Sequence, residues 1–266
     1  MKEREARLKR KLLLGLLACT CLGAATAAAL PASAAAADNR LQMEVRYFIP
    51  QVDATAKSDK IHIVNESGSE VNFKDTLGVD NKAVPEVRAS WKDWTFDYVN
   101  LHQSGDRVLD NAIIYEGDIF PAGGEPTHTK LNVDYFALNW KHNLHTASNY
   151  QAYWNAGLKV IRIDTSVSGA GQSSGKTFTG GIPTVGLGVS AYLDESKRLS
   201  LNGEVSGMTL GGRGHVLDLE MGLKYQPSRQ FNLALGYRLL DAKLDRDDER
   251  ASYKAYGPFI GLGVNF

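Results

Sequence analysis

Three groups of residues in this chain have types and spacings that chemistry could use. The run Ala170-Gly171-Gln172-Ser173-Ser174-Gly175-Lys176-Thr177 satisfies a relaxed phosphate-cradling pattern, in which backbone amides and a lysine would hold a nucleotide. Such a loop must open a helix whose N-terminus faces the anion. Here Thr177 leads into Phe178-Thr179-Gly180-Gly181-Ile182-Pro183, where no helix can start, so the run reads as a Gly/Ser-rich loop. The six histidines (His62, His102, His128, His142, His145 and His215) are scattered, and none makes a compact metal spacing. Asp245, Asp247, Asp248 and Glu249 crowd one short loop but lack the glycine and closing glutamate of a calcium hand, so they read as a solvated acidic tip. A Ser/His/Asn site assembled only in three dimensions is beyond the reach of spacing. The expectation is no enzyme, no cofactor and no metal.

What must position these residues is a set of strands. After residue 40 the dominant signal is period-2 alternation. Leu217, Leu219, Met221, Leu223 and Tyr225 alternate with Asp218, Glu220, Gly222, Lys224 and Gln226. Phe231, Leu233, Leu235 and Tyr237 alternate with Asn232, Ala234, Gly236 and Arg238. The same pattern recurs at 41–50, 85–91, 94–103, 130–141, 150–164, 182–193, 199–206 and 260–266, so about ten strands are expected. Eight or twelve are the alternatives; a hairpin of 60–64 and 71–74 within the first long loop would raise the count to twelve. Short connections fall at Lys92-Asp93, 143–149, 194–198 and 226–230. The intervening ones are read as long at 51–83, 104–129 and 165–181, and compact at 211–214 and 245–250.

The N-terminus supplies the address. Six basic residues within MKEREARLKRK precede an apolar core from Leu12 to about Leu22 and an alanine-rich tract ending in ASAAAAD. That is the order of a secretory signal peptide, expected to span residues 1–37 and to leave residues 38–266 as the mature part. Pro31 breaks the tract and argues against a permanent helical anchor. Leu16-Leu17-Ala18-Cys19 is a poor lipobox because Leu17 is bulky. Cleavage would remove six of the 30 basic and two of the 30 acidic residues, leaving a formal charge of −4, and would take away both cysteines, Cys19 and Cys21. Neither a disulfide nor a basic block for nucleic acid is then left. A mean hydropathy of −0.26 likewise excludes a bundle of transmembrane helices.

Alternation alone does not say which face is inside; a soluble barrel would turn its aliphatic face inward. Three features favour the opposite. All four tryptophans, Trp91, Trp94, Trp140 and Trp154, flank short turns, as an interfacial aromatic girdle would. The apolar faces are continuous over about nine to eleven residues, the length of a tilted strand crossing a bilayer. The chain ends Ile260-Gly261-Leu262-Gly263-Val264-Asn265-Phe266, apolar residues alternating to a terminal aromatic. This tail resembles the assembly signal of Gram-negative outer-membrane barrel proteins, the small porin-like and OmpA/OmpX-like superfamily. The resemblance implies an all-β, antiparallel transmembrane β-barrel in the outer membrane, in contact with its lipid and lipopolysaccharide. It also implies that the barrel-assembly machinery engages Ile260, Leu262, Val264 and Phe266.

With the aliphatic faces toward lipid, the lumen should hold Glu44, Arg46, Glu86, Arg88, Asp97, Lys159, Glu204, Asp218, Glu220, Lys224 and Arg238. Six are acidic and five basic, a mixed wall rather than the one-sign ring of an ion-selective pore. Ion pairing across a narrow bore is expected, for example of Asp218 or Glu220 with Arg238. A structural or surface-interaction role follows, with a small-solute channel and a lipid-modifying barrel enzyme as the alternatives.

Overall fold

Strands buried in lipid must satisfy every backbone group among themselves, which an open sheet cannot do and a closed cylinder can. The computed structural model describes residues 40–58, 71–246 and 249–266. Within them the strands are β1 (Leu41–Phe48), β2 (Gln51–Ser58), β3 (Val71–Asn72), β4 (Val84–Trp91), β5 (Trp94–Arg107), β6 (Ile113–Tyr115) and β7 (Asp118–Phe120). There follow β8 (Thr127–Thr146), β9 (Tyr150–Gly169), β10 (Gln172–Tyr192), β11 (Leu199–Thr209), β12 (Gly214–Tyr225), β13 (Phe231–Arg246) and β14 (Glu249–Asn265). The hydrogen-bonded order β1-β4-β5-β8-β9-β10-β11-β12-β13-β14 closes through an antiparallel β1–β14 ladder.

Ten staves make this wall, because β1 and β2 are two halves of one. Residues 42–48 pair with 259–265 of β14, and above the bend at Pro50 residues 51–58 pair with 249–256. Ile49 N donates to Pro258 O at 2.9 Å across the junction. Any side chain at Gly257 would collide with the Ile49 carbonyl, so the bend needs glycine opposite it. The twelve-stranded alternative is met only in part: β3 adds two residues to β2, and residues 60–64 lie outside the described ones. The signal-peptide segment 1–37, with its cysteines, also lies outside them, as does His62.

The short turns and both ends of the described wall lie at one rim, the periplasmic end of such a barrel. At the other rim the expected long loop at 165–181 does not exist. β9 and β10 run to a two-residue turn at Ala170 and Gly171, whose φ values of 52° and 75° are those of a tight hairpin. The phosphate-loop look-alike is thus a hairpin tip and the first rungs of β10. Its neighbourhood escaped sequence reading because Ser166, Ser168, Thr177 and Thr179 on the outer face carry no apolar alternation.

Inside and outside exchange character along a single hydrogen-bonded row. Tyr98, Phe136, Val160 and Gly181 are cross-strand partners on the outer face of β5, β8, β9 and β10 and close the apolar belt. The next outward row, Asn100, Asp134, Arg162 and Thr179, is wholly polar. Inside, the order is reversed. Asp97 and Lys159 lie below the exchange, and the buried Val99, Tyr135, Ile161, Leu101, Val133 and Ile163 lie above it. The same exchange separates Leu239 and Tyr256 from Asp241 and Lys254 on β13 and β14. A 20-residue stave is roughly 65 Å long, about 50 Å of height once tilted, against about 30 Å of hydrocarbon. The barrel therefore stands well clear of the membrane, and its distal part is built like a water-soluble barrel.

Two segments fill that distal bore. Val71, Phe73, Leu77 and Val79 enter from the first connection, pinned where Asp80 N donates to Ser104 O at 3.3 Å. From the second, the β6–β7 hairpin inserts Ile113, Tyr115 and Phe120. Tyr115 hydroxyl bonds Thr165, Ser174 donates to Asp118, and Lys176 Nζ lies 3.6 Å from Glu116.

Candidate functional site

Below the exchange row the lumen is lined by charge. All eleven sequence-predicted lumen residues point inward: Glu44 and Arg46 on β1, Glu86 and Arg88 on β4, Asp97 on β5, Lys159 on β9. The rest are Glu204 on β11, Asp218, Glu220 and Lys224 on β12, and Arg238 on β13. Lys141 joins them, which sequence reading missed. The strand was expected to stop at 141, but β8 continues to Thr146 through a bulge at Asn143/His145. Lys141 keeps the inward parity of Tyr135, Ala137 and Asn139, a signal that was there to be used.

Glu220 sits at the centre, receiving Arg46 Nη1 at 2.8 Å and both Arg88 terminal nitrogens at 2.9 Å. Arg88 also bonds Asp97, its partner across the β4–β5 ladder. Arg46 bonds Glu44 on its own strand, lies 3.5 Å from Glu86, and covers the Phe259 ring at 4.5 Å. Arg238 holds Asp218 through two nitrogens at 3.1 and 2.9 Å. Its third approaches Glu86 Oε2 at 2.8 Å as an ion contact without hydrogen-bond alignment. Asp218 further receives Lys159 Nζ at 2.8 Å and Tyr135 hydroxyl at 2.6 Å, and Lys159 also donates to Ser206 at 2.7 Å. A second cluster surrounds Glu204, which accepts from Lys141 and Tyr153 at 2.7 Å each and from Asn155 at 2.9 Å.

With Lys141 counted, six acidic and six basic side chains face one another. Charges removed from water are tolerated only when paired and hydrogen-bonded, and these are. Lys224, nearest the short turns, differs: it donates to the neutral Gln42 Oε1 at 3.1 Å. Glycines make room for the large inward groups; the Tyr153 ring lies where a Gly188 side chain would be, and the Phe259 ring covers Gly236. The cavity bounded by Arg88, Asp97, Lys159, Glu204, Asp218 and Glu220 measures about 10 Å³, room for about one water.

The other sequence-predicted groups are spread over the outer wall. Trp91, Trp94, Trp140 and Trp154 stand beside the short turns in one sector over β4, β5, β8 and β9 rather than around the whole rim. Trp140 and Trp154 meet edge to face at 5.3 Å. Ile260, Leu262 and Phe266 are exposed and Val264 half-exposed; Phe266 N donates to Leu41 O at 2.8 Å, tying the last residue to the first stave. Asp245 bonds Arg250 at 2.9 Å, whereas Asp247 and Asp248 lie outside the described residues. His128 pairs with Asp106 and His215 with Asp241 on the outer wall.

No protein-family profile matches the chain, and no curated protein matches it either. Solved structures do. The outer membrane protease OmpT from Escherichia coli superposes with a TM-score of 0.53 at 12% identity, covering 87% of this chain and 98% of that one. OprG from Pseudomonas aeruginosa matches with a TM-score of 0.36 at 13% identity, over 86% of this chain and 96% of its own. The Neisserial surface protein NspA gives 0.32 at 15% identity, over 85% and 97%. The likeness to OmpT is one of fold: the chain has the architecture of an outer-membrane β-barrel.

Proposed function

We propose that this protein is a closed barrel of the outer membrane, exported through the periplasm, with a structural or surface-interaction role. The observation that carries the reading is the lumen: charges of both signs, paired within and across strands, around a cavity of about 10 Å³. A conducting bore needs continuous water and usually a field of one sign. The apolar distal filling adds a second barrier that hydrated ions would not cross. Planar-bilayer recording on the purified barrel tests this. Silence at moderate voltage is expected, and steady porin-sized openings would return the small-solute channel to first place.

One observation favours an enzyme, the pairing of His128 with Asp106 near the outer rim. Both are exposed on the outer wall, at 64% and 68%, instead of facing each other across a cleft, which supports a non-catalytic barrel. Absence of peptide and lipid hydrolysis by the purified protein is the expected result. Engagement of the assembly machinery through β14 belongs to the same proposal.

A further inference from the structure

We infer that the short-turn mouth of the lumen captures the terminal carboxylate of a periplasmic peptide, held by Lys224 with Asn232 beside it. This rests on the proposed outer-membrane placement, which turns that mouth toward the periplasm. Between the charged layer and the rim the inward side chains are neutral and polar: Gln42 on β1, Ser90 on β4, Ser200 and Asn202 on β11, Asn232 on β13. Lys224 is the charge set among them.

Among the described residues, Lys224 alone of the lumen charges has no ion-pair partner. Its ammonium donates to Gln42 Oε1 at 3.1 Å, which uses one of its three protons. Gln42 Nε2 donates to Glu44 Oε2 at 3.4 Å, and the other Glu44 oxygen is taken by Arg46, so that acid is engaged elsewhere. Ser200, opposite Lys224 on β11, accepts from Asn202 at 3.1 Å and keeps its own proton to donate.

Asn232 supplies an independent sign. It is 1% exposed, yet neither its Oδ1 nor its Nδ2 has a hydrogen-bond partner. Its side chain lies over Gly263, where a β-carbon would come within 2.4 Å of the amide nitrogen. Lys224 stands opposite Ala234 and reaches Gln42 beyond β13 and β14, so its line crosses the Asn232–Gly263 rung. A buried amide left unpaired is costly, and a ligand that supplies both partners recovers the loss. The end of a peptide does so: its carboxylate meets the Lys224 ammonium and Asn232 Nδ2, and its last N–H donates to Asn232 Oδ1. Lys224 is half-buried, so its ammonium meets the ligand first, and its long stem can swing off Gln42 to uncover Asn232. One lysine balances one negative charge; a phosphate dianion would want a second cation or an arginine fork.

Calorimetric titration of the purified barrel in detergent with N-acetyl-alanyl-alanine, its C-terminal amide, acetate or inorganic phosphate tests the inference. The free-acid peptide should bind at least about tenfold more tightly than each of the other three. Lys224→Gln and Asn232→Ala should each weaken it about tenfold, whereas Lys224→Arg, which keeps the charge, should stay within about threefold. Lys197→Gln, on a neighbouring turn, should leave it unaltered. No binding of the free acid, equal binding of the amide or of phosphate, or indifference to Lys224→Gln and Asn232→Ala overturns the proposal. Should Lys224→Gln fail to fold, the comparison of acid with amide on the unmutated barrel still decides. Heat-modifiable migration and bilayer recordings on the same samples report separately on the closed-barrel reading, so either can fail without the other.

Discussion

Asp218 and Arg238 stand on adjacent staves but not opposite one another: Asp218 faces Leu240, and Arg238 faces Glu220. Arg238 nonetheless leans along the ladder to Asp218 and leaves Glu220 to Arg46 and Arg88 from across the bore. The diagonal link and the cross-bore link thus depend on each other, and the lumen behaves as a single interlocked layer.

Removing Arg238 should therefore do more than cut one bond. Glu86, fully buried, and Asp218 would both lose a cation, at a cost of about 3–5 kcal/mol. Arg238→Ala should lower the temperature at which the folded band converts to the unfolded one, and should admit brief conductance events. Wild-type stability in this variant would contradict the interlocked layer.

Gly188 tests the packing beneath Glu204. A methyl group there meets the Tyr153 ring, whose hydroxyl donates to Glu204. Gly188→Ala should cost about 1–3 kcal/mol through this overpacking, read by the same thermal assay. Tyr153→Ala should rescue part of the loss, because the obstructing ring is then gone.

The distal hairpin has a pH signature. Burial pushes the Tyr115 hydroxyl up to about 12, above its ordinary value near 10. The folded state thus holds this proton more tightly than the unfolded chain does. The stabilisation is complete below about pH 10 and is lost as pH rises toward 12, amounting to about 2–3 kcal/mol at most. The tyrosinate absorbance of wild type minus that of Tyr115→Phe should titrate with a midpoint near 12; a midpoint near 10 would place the ring in water.

Phe266 closes the seam between the last stave and the first. Its deletion, or Phe266→Asp, should reduce the heat-modifiable folded fraction in cells severalfold, with unfolded protein accumulating in the periplasm. The hydrogen bond from the residue 266 backbone N–H to Leu41 O would be retained in Phe266→Leu, which should fold nearly normally.

The membrane-embedded half was legible in the sequence, and the distal half largely was not. Leu217 to Tyr225 and Phe231 to Tyr237 display one apolar face without interruption, so strand, register parity and lumen charges follow from period alone. At Val99, Ile161 and Leu240 the apolar residues switch to the inner face while the outer face becomes polar. A reader following one face sees the signal fade there, which is why 165–181 read as a loop. Lys141 keeps the inward parity of Asn139 and was passed over only because the strand was expected to end at that residue. The pairing of Arg88 with Glu220 was invisible for another reason, since it joins staves that are not ladder neighbours.

The exchange row also acts as a waterline. Sinking the barrel by one outward rung would draw Asn100, Asp134, Arg162 and Thr179 into hydrocarbon, and raising it would lift Tyr98 and Phe136 into water. Both displacements are resisted, the first by desolvation of a charged rung and the second by exposure of aromatic area. The molecule's freeboard is consequently written into its wall.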